Sequence, residues 1–176
     1  MQRLIVFRTL GFVLLSSFFL FLSLLPTLAN AQLQFNITDG QVAPTPIAIA
    51  NFTNETGEIS DVGKQIAQII SGDLESSGLF KPVDTAAFIA PPTAPTVKPN
   101  FANWTPLGVK GLLVGSAQSG EGGKTLVEFV LWDVVTGEPI ASAEGEADRN
   151  GIRRIAHQIA DFVYAVSYTH LTLPTT

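Results

Sequence analysis

The chain of 176 residues contains no cysteine. It therefore cannot form disulfides or zinc thiolate sites, it has no catalytic thiol, and it lacks the residue that carries the lipid of a bacterial lipoprotein. An exported protein of this composition must fold on hydrophobic burial alone.

Basic residues are also scarce, since 10 Lys and Arg face 15 Asp and Glu and the net charge is −5. An acidic chain has no electrostatic footprint for nucleic acid or for an anionic membrane surface, so neither is predicted as a partner. Only two histidines occur, His157 alone on a predicted helix and His170 near the end. Because no His or carboxylate cluster has ligand spacing, we predict no metal or other cofactor.

Two other patterns resemble catalytic motifs but fail on spacing. The stretch "GSAQSGEGGKT" ends like a phosphate-binding loop, but Gln118 stands six residues before Lys124, where that loop needs glycine, and a strand follows. A hairpin turn is favoured instead. Asp73 and Glu75 lie two apart on a predicted helix, so they indicate a solvated face rather than an acid–base pair. We therefore predict no catalytic residue and no enzymatic activity.

The amino-terminal 31 residues have the pattern of an export signal. Arg3 and Arg8 precede an apolar run that ends at Pro26 and is followed by Ala29-Asn30-Ala31. This pattern predicts cleavage between Ala31 and Gln32, with no membrane insertion of the mature chain, although the run is close to the length of a membrane anchor. Removal of the two arginines takes the net charge from −5 to −7. Residues 32–164, about 130 of those that remain, are enough for one domain.

Residues 32–164 are predicted to form that domain. "LQFNI" (33–37) alternates like a half-buried strand, and "PIAIANF" (46–52) supplies a second strand. A helix follows, capped by Ser60 and ended by Gly78. Its predicted buried face consists of Ile59, Val62, Ile66, Ile69, Ile70 and Leu74.

The second half begins with a proline-rich connection over residues 90–106, predicted to cross the surface as extended chain with Trp104 as its apolar anchor. "LLVGSA", "KTLVEFVLWDVV" and "PIASAEGEA" then predict three strands joined by hairpin turns. A second amphipathic helix follows. The expected fold is α/β of the α+β type, a mostly antiparallel or mixed sheet packed by two helices. The predicted buried face of the second helix consists of Ile152, Ile155, Ile159, Phe162 and Val163.

The strand at Leu33–Ile37 would begin one residue after the cleavage point. A strand tethered at one end can dock on its own sheet or be lent to a partner by strand addition. Periodicity leaves both interpretations open and favours an ordinary edge strand.

Three motifs carry a resemblance to a known family. "DLESSGLFKPVD", "NWTPLGVKGLLVG" and "IAHQIADFVY" occur in the order found in the amino-terminal domain of the TolB family, the soluble periplasmic component of the Tol-Pal system, and the similarity spans 32–164. The resemblance implies an α/β domain followed by a six-bladed β-propeller. It also implies that the mature amino terminus binds the carboxy-terminal domain of TolA and that the propeller binds the lipoprotein Pal. The residues that correspond to the TolA-binding segment are Gln32, Leu33, Gln34, Phe35, Asn36, Ile37, Thr38, Asp39 and Gly40.

The implied function is that of a periplasmic, non-enzymatic interaction protein that supports outer-membrane integrity and invagination during cell division. Pal occupancy would alter whether the amino-terminal segment is docked or free. The alternative is a stand-alone exported α/β domain that regulates a cell-wall enzyme.

The carboxy terminus departs from the family pattern. After "DFVY" the chain continues "AVSYTHLTLPTT", which has neither a helix stop nor a propeller repeat. We predict that residues 165–176 are not native to the protein. The alternative is a short terminal strand that contains Tyr168, Leu171 and Leu173.

Overall fold

A computed structural model of the chain describes residues 43–90, 94–148 and 150–171. The predicted signal sequence, its cleavage point and the predicted strand at Leu33–Ile37 lie outside these residues. Within them the chain forms five strands and two α-helices in the order β1, α1, β2, β3, β4, β5, α2. Their bounds are β1 Thr45–Ile49, α1 Asp61–Ser76, β2 Phe80–Pro82, β3 Gly111–Ser119, β4 Thr125–Asp133, β5 Pro139–Ala147 and α2 Ile152–Leu171.

The five strands form one mixed sheet in the order β2-β1-β3-β4-β5. β1 is parallel to both of its neighbours, while β3, β4 and β5 are joined as antiparallel hairpins. The predicted mixed sheet with two helices and both predicted hairpins are therefore confirmed. The β1–β2 pair is parallel because α1 returns the chain to the same end of the sheet before β2 begins, and the connection over residues 83–110 does the same before β3.

Both helices pack on one face of this sheet. α1 starts where the Ser60 side chain accepts a hydrogen bond from the Gly63 N–H at 3.0 Å, and it ends before Gly78, whose φ of 72° only glycine adopts readily. The predicted cap and stop are confirmed. Buried residues from both helices and all five strands form the core, including Ile66, Ile70, Leu74, Ile155, Ile159 and Val163.

Three details of the sequence prediction are wrong on this face. Ile59 and Val62 were predicted to be buried, but they are 40% and 37% exposed. Ile59 precedes the cap and forms an isolated bridge with Thr53, so the helical period does not apply to it. The strand predicted over 46–52 ends at Ile49, and Phe52 is buried in the turn that follows.

The proline-rich connection covers the opposite face of the sheet. Trp104 is buried there, as predicted, and its ring packs edge-on against Phe88 with centroids 4.9 Å apart. The connection is not simply extended, because 3-10 turns form at Phe101–Asn103 and Thr105–Leu107. A second buried cluster therefore lies under it, formed by Ala48, Ala50, Trp104, Val109, Leu112, Val114, Trp132 and Val134.

α2 continues past the family motif to Leu171. Val166 packs against the helix-side core, and Ser167 is buried. The alternative of a terminal strand is wrong for Tyr168 and Leu171, whose backbone is helical. The non-native origin of residues 165–176 stays a prediction.

Strand directions place both ends of the described chain together. β1 and β5 run the same way, and α2 runs back along β5, as the contacts of Ile155 with Gly145 and of Phe162 with Phe129 show. The start of β1, the ends of both helices and the β4–β5 turn therefore lie at one end of the sheet. We call this the entry end.

Candidate partner-binding site

The predicted TolA-binding segment, Gln32–Gly40, lies outside the described residues, as does the predicted cleavage point at Ala31 and Gln32. The structure does describe where the chain enters the domain. The Thr45 N–H donates to the Leu79 carbonyl at 2.8 Å, and β1 continues between β2 and β3. No vacant edge remains beside β1 for a strand arriving from upstream.

The entry end is where upstream and downstream chain must both attach. Residue 43 leads into β1 at this end, and Leu171 ends α2 there. The β4–β5 turn contributes the Val135 side chain, which is exposed. The described chain thus enters and leaves the domain at the same end of the sheet.

A polar contact joins the last turn of α1 to the first third of α2. His157 Nδ1 lies 2.5 Å from Asp73 Oδ2, and both side chains are partly exposed. The prediction that His157 stands alone is wrong, and Asp73, predicted on a solvated helix face, is partly buried and contacts it. The residues are 84 positions apart, so only the packing of α1 on α2 brings them together.

This contact lies beside a cleft of about 260 Å³ between the helices, lined by Asp73, Ser77, Asp161 and Tyr164 among others. The Ser77 hydroxyl donates to the Leu74 carbonyl at 2.6 Å instead of to a base. The arrangement therefore lacks the nucleophile–base hydrogen bond of covalent catalysis at Ser77. The His157–Asp73 contact links α1 to α2 across their packed interface.

The loop that resembled a phosphate site is the predicted hairpin turn. Gly122 and Gly123 adopt φ of 68° and 77° between β3 and β4, so no helix follows the glycines. The Lys124 ammonium donates to Glu146 at 2.7 Å, and this hydrogen bond, together with the carboxylate charge, raises the pKa of Lys124. Lys124 thus has a carboxylate partner on β5.

Over residues 43–90, 94–148 and 150–171, no three His, Asp or Glu side chains come close enough to hold a metal ion. Within the same ranges, no helix is both long and apolar enough to span a bilayer.

Residues 33–140 match the family model of the TolB amino-terminal domain. The chain belongs to this family. The match begins inside the predicted partner-binding segment and ends at the start of β5.

Named relatives agree with the family. The chain is 38% identical over 136 residues to the Tol-Pal system protein TolB of Paramagnetospirillum magneticum, covering 77% of this chain and 30% of that protein. It is 39% identical over 129 residues to the protein of the same name from Rickettsia felis, covering 73% of this chain and 29% of the relative. The chain thus spans about three tenths of the length of these curated relatives.

Solved structures support the fold. TolB from Acinetobacter baumannii superposes with a TM-score of 0.56 at 22% identity, covering 70% of this chain and 28% of that one. Protein XCC0632 from Xanthomonas campestris superposes with a TM-score of 0.50 at 8% identity, covering 78% of this chain and 94% of that one.

Proposed function

We propose that this domain is the TolA-binding, non-enzymatic component of a Tol-Pal system, working in the periplasm to maintain outer-membrane integrity and invagination during cell division. The observation that carries the proposal is the family match over residues 33–140, which includes most of the predicted binding segment. Relatives that carry the Tol-Pal system name support it.

The binding element is Gln32–Gly40, freed by cleavage after Ala31. Leu33, Phe35 and Ile37 alternate with Gln34 and Asn36. A strand of this pattern adds to an exposed sheet edge of a partner, with main-chain hydrogen bonds giving affinity and the apolar set filling pockets. The partner is the carboxy-terminal domain of TolA.

The entry end supports a coupled action. In the family a propeller that binds Pal follows this domain, and chain continuing after α2 would be attached at the end where the binding segment joins β1. Pal on the propeller would then bias whether the segment is docked or free. Such a switch needs a differential affinity of the propeller surface for the two states of the segment.

Calorimetry with the TolA carboxy-terminal domain tests the binding mode. Phe35→Ala removes an apolar anchor and is expected to weaken the Kd at least tenfold, since buried aromatic anchors dominate interface energies. Gln34→Ala is the matched control on the opposite face of the same strand and is expected to change the Kd less than about threefold. Equal effects of the two substitutions would contradict strand addition with the Phe35 face buried.

A further inference from the structure

β5 forms one edge of the sheet. It is nine residues long and pairs only with β4 in the described structure, so its outer backbone groups have no strand partner there. The other edge strand, β2, has three residues. An edge of β5's length presents a row of backbone donors and acceptors that an added strand can use.

On the helix side of β5, small residues leave a cleft whose lining is mostly apolar but includes Gln158 of α2. Ala143 and Gly145 face α2, and a space of about 200 Å³ lies between them, Phe129, Ile155 and Phe162. A Cβ on Gly145 would come within 3.1 Å of the Ile155 Cδ1. A larger residue at position 145 would therefore narrow the cleft. The cleft accepts small apolar side chains from a neighbouring strand.

The opposite side of β5 is acidic. Glu144 and Glu146 are exposed there, and Glu144 lies directly opposite Glu128 of β4. Like charges in directly opposed positions destabilise a sheet. Lys124 pairs with Glu146. Cations placed over this side would relieve the repulsion between Glu128 and Glu144.

We propose that β5 is a docking edge for an extended segment in which lysine or arginine alternates with small apolar residues. Pleating directs alternate side chains of an added strand to opposite faces, so one set enters the cleft beside Gly145 and the other covers Glu144 and Glu146. This site is separate from Gln32–Gly40 and goes beyond the proposed function.

The charge of β5 favours a basic strand over two other possible partners, a second copy of β5 and the segment Gln32–Gly40. A second copy of β5 would bring its own carboxylates against Glu144 and Glu146, which repels it. The segment Gln32–Gly40 alternates correctly but carries no cation, and Asp39 adds an acid. The edge therefore suits a basic partner strand.

The test uses the purified chain labelled with ¹⁵N and a capped peptide of alternating lysine and valine as long as β5. The expected result is saturable amide shifts over residues 140–147 of β5 and slowed exchange at alternate amides of that strand. A peptide of the same composition with its lysines in one block is the control and should bind at least about fivefold more weakly, because it cannot match both faces.

Backbone pairing is tested by two peptides N-methylated at alternate positions. One set of amides points to β5 and the other points away, so one methylated peptide should lose binding and the other should retain it. Equal binding by both, or shifts centred on α1, would overturn strand addition and leave only non-specific charge attraction.

Protein variants test the carboxylates. Glu144→Gln is expected to weaken the peptide Kd about three- to fivefold, whereas Glu75→Gln on α1 should leave it unchanged. The proposal is wrong if the wild-type chain binds no peptide while a variant with both Glu144→Gln and Glu146→Gln self-associates in sedimentation. In that case the two carboxylates serve only to prevent pairing of β5 with another strand.

Discussion

Gly63 and Gly72 both lie in α1, but Gly63 is packed tightly against neighbouring atoms and Gly72 is surrounded by open space. A Cβ on Gly63 would lie 2.0 Å from the Phe52 carbonyl oxygen and 2.8 Å from the Phe52 carbonyl carbon, whereas a Cβ on Gly72 would meet nothing within 4 Å. Phe52 has little room to retreat, because its ring lies close to Gly115, where a Cβ would be 2.4 Å from the ring. The first turn of α1 thus packs directly against the backbone of Phe52.

The two Gly→Ala substitutions should therefore change stability in opposite directions. Alanine favours a helix interior over glycine by about 0.5–1 kcal/mol, and Gly72→Ala is expected to gain this amount. Overpacking typically costs about 1–3 kcal/mol, and contact with backbone puts Gly63→Ala at the upper end. After the gain in helix propensity, Gly63→Ala should lose about 2 kcal/mol.

Urea denaturation of the wild-type chain and both variants measures these differences, with the slope m checked for constancy. The expected separation between the variants is about 3 kcal/mol. If the two free energies of unfolding agree within about 0.5 kcal/mol, the close approach of α1 to Phe52 does not exist in solution.

Four further substitutions test the core and the helix pairing. Ile66→Asp and Ile155→Asp each place an unpaired carboxylate on a buried helix face and are expected to unfold the domain, as seen by circular dichroism. A cooperative thermal transition like the wild type in either variant would show that its helix face is assigned wrongly. A double-mutant cycle with Asp73→Asn and His157→Gln is expected to give a coupling of about 0.5–1 kcal/mol, because each substitution removes one partner of the Nδ1–Oδ2 contact between the helices. Strictly additive effects of the two substitutions would show that this contact does not stabilise the domain.

Local chemistry made the helix ends predictable. Ser60 and Gly78 were identified because capping depends on the residue itself, through a side-chain acceptor in one case and a left-handed backbone in the other. The exposure of Ile59 and Val62 was not predictable from the period, since a helix periodicity has no meaning before the cap, and in the first turn Gly63 and not Val62 is the buried residue.

Long-range arrangement was less accessible. Hairpin turns indicated the β3–β4–β5 order, but nothing local shows that β1 lies between β2 and β3, because that depends on the crossover through α1. The Asp73–His157 contact has the same origin. Gly63 and Gly72 look alike in sequence, and only the packing of Phe52 distinguishes them.

The candidate site was predicted by resemblance and not by pattern. Alternation in Leu33–Ile37 indicates a strand, but the same alternation describes an edge strand that never leaves its sheet. The sequence did not predict that the described chain enters and leaves the domain at the same end of the sheet. That result follows from the directions of β1 and α2 in the structure.

The central claim is that Gln32–Gly40 binds TolA. Calorimetric titration of the TolA carboxy-terminal domain into the chain that starts at Gln32, and into the same chain without Gln32–Gly40, tests it most directly, with circular dichroism and thermal unfolding confirming that both are folded. The account predicts measurable binding by the first and none by the deletion. Unchanged affinity in the folded deletion would contradict it.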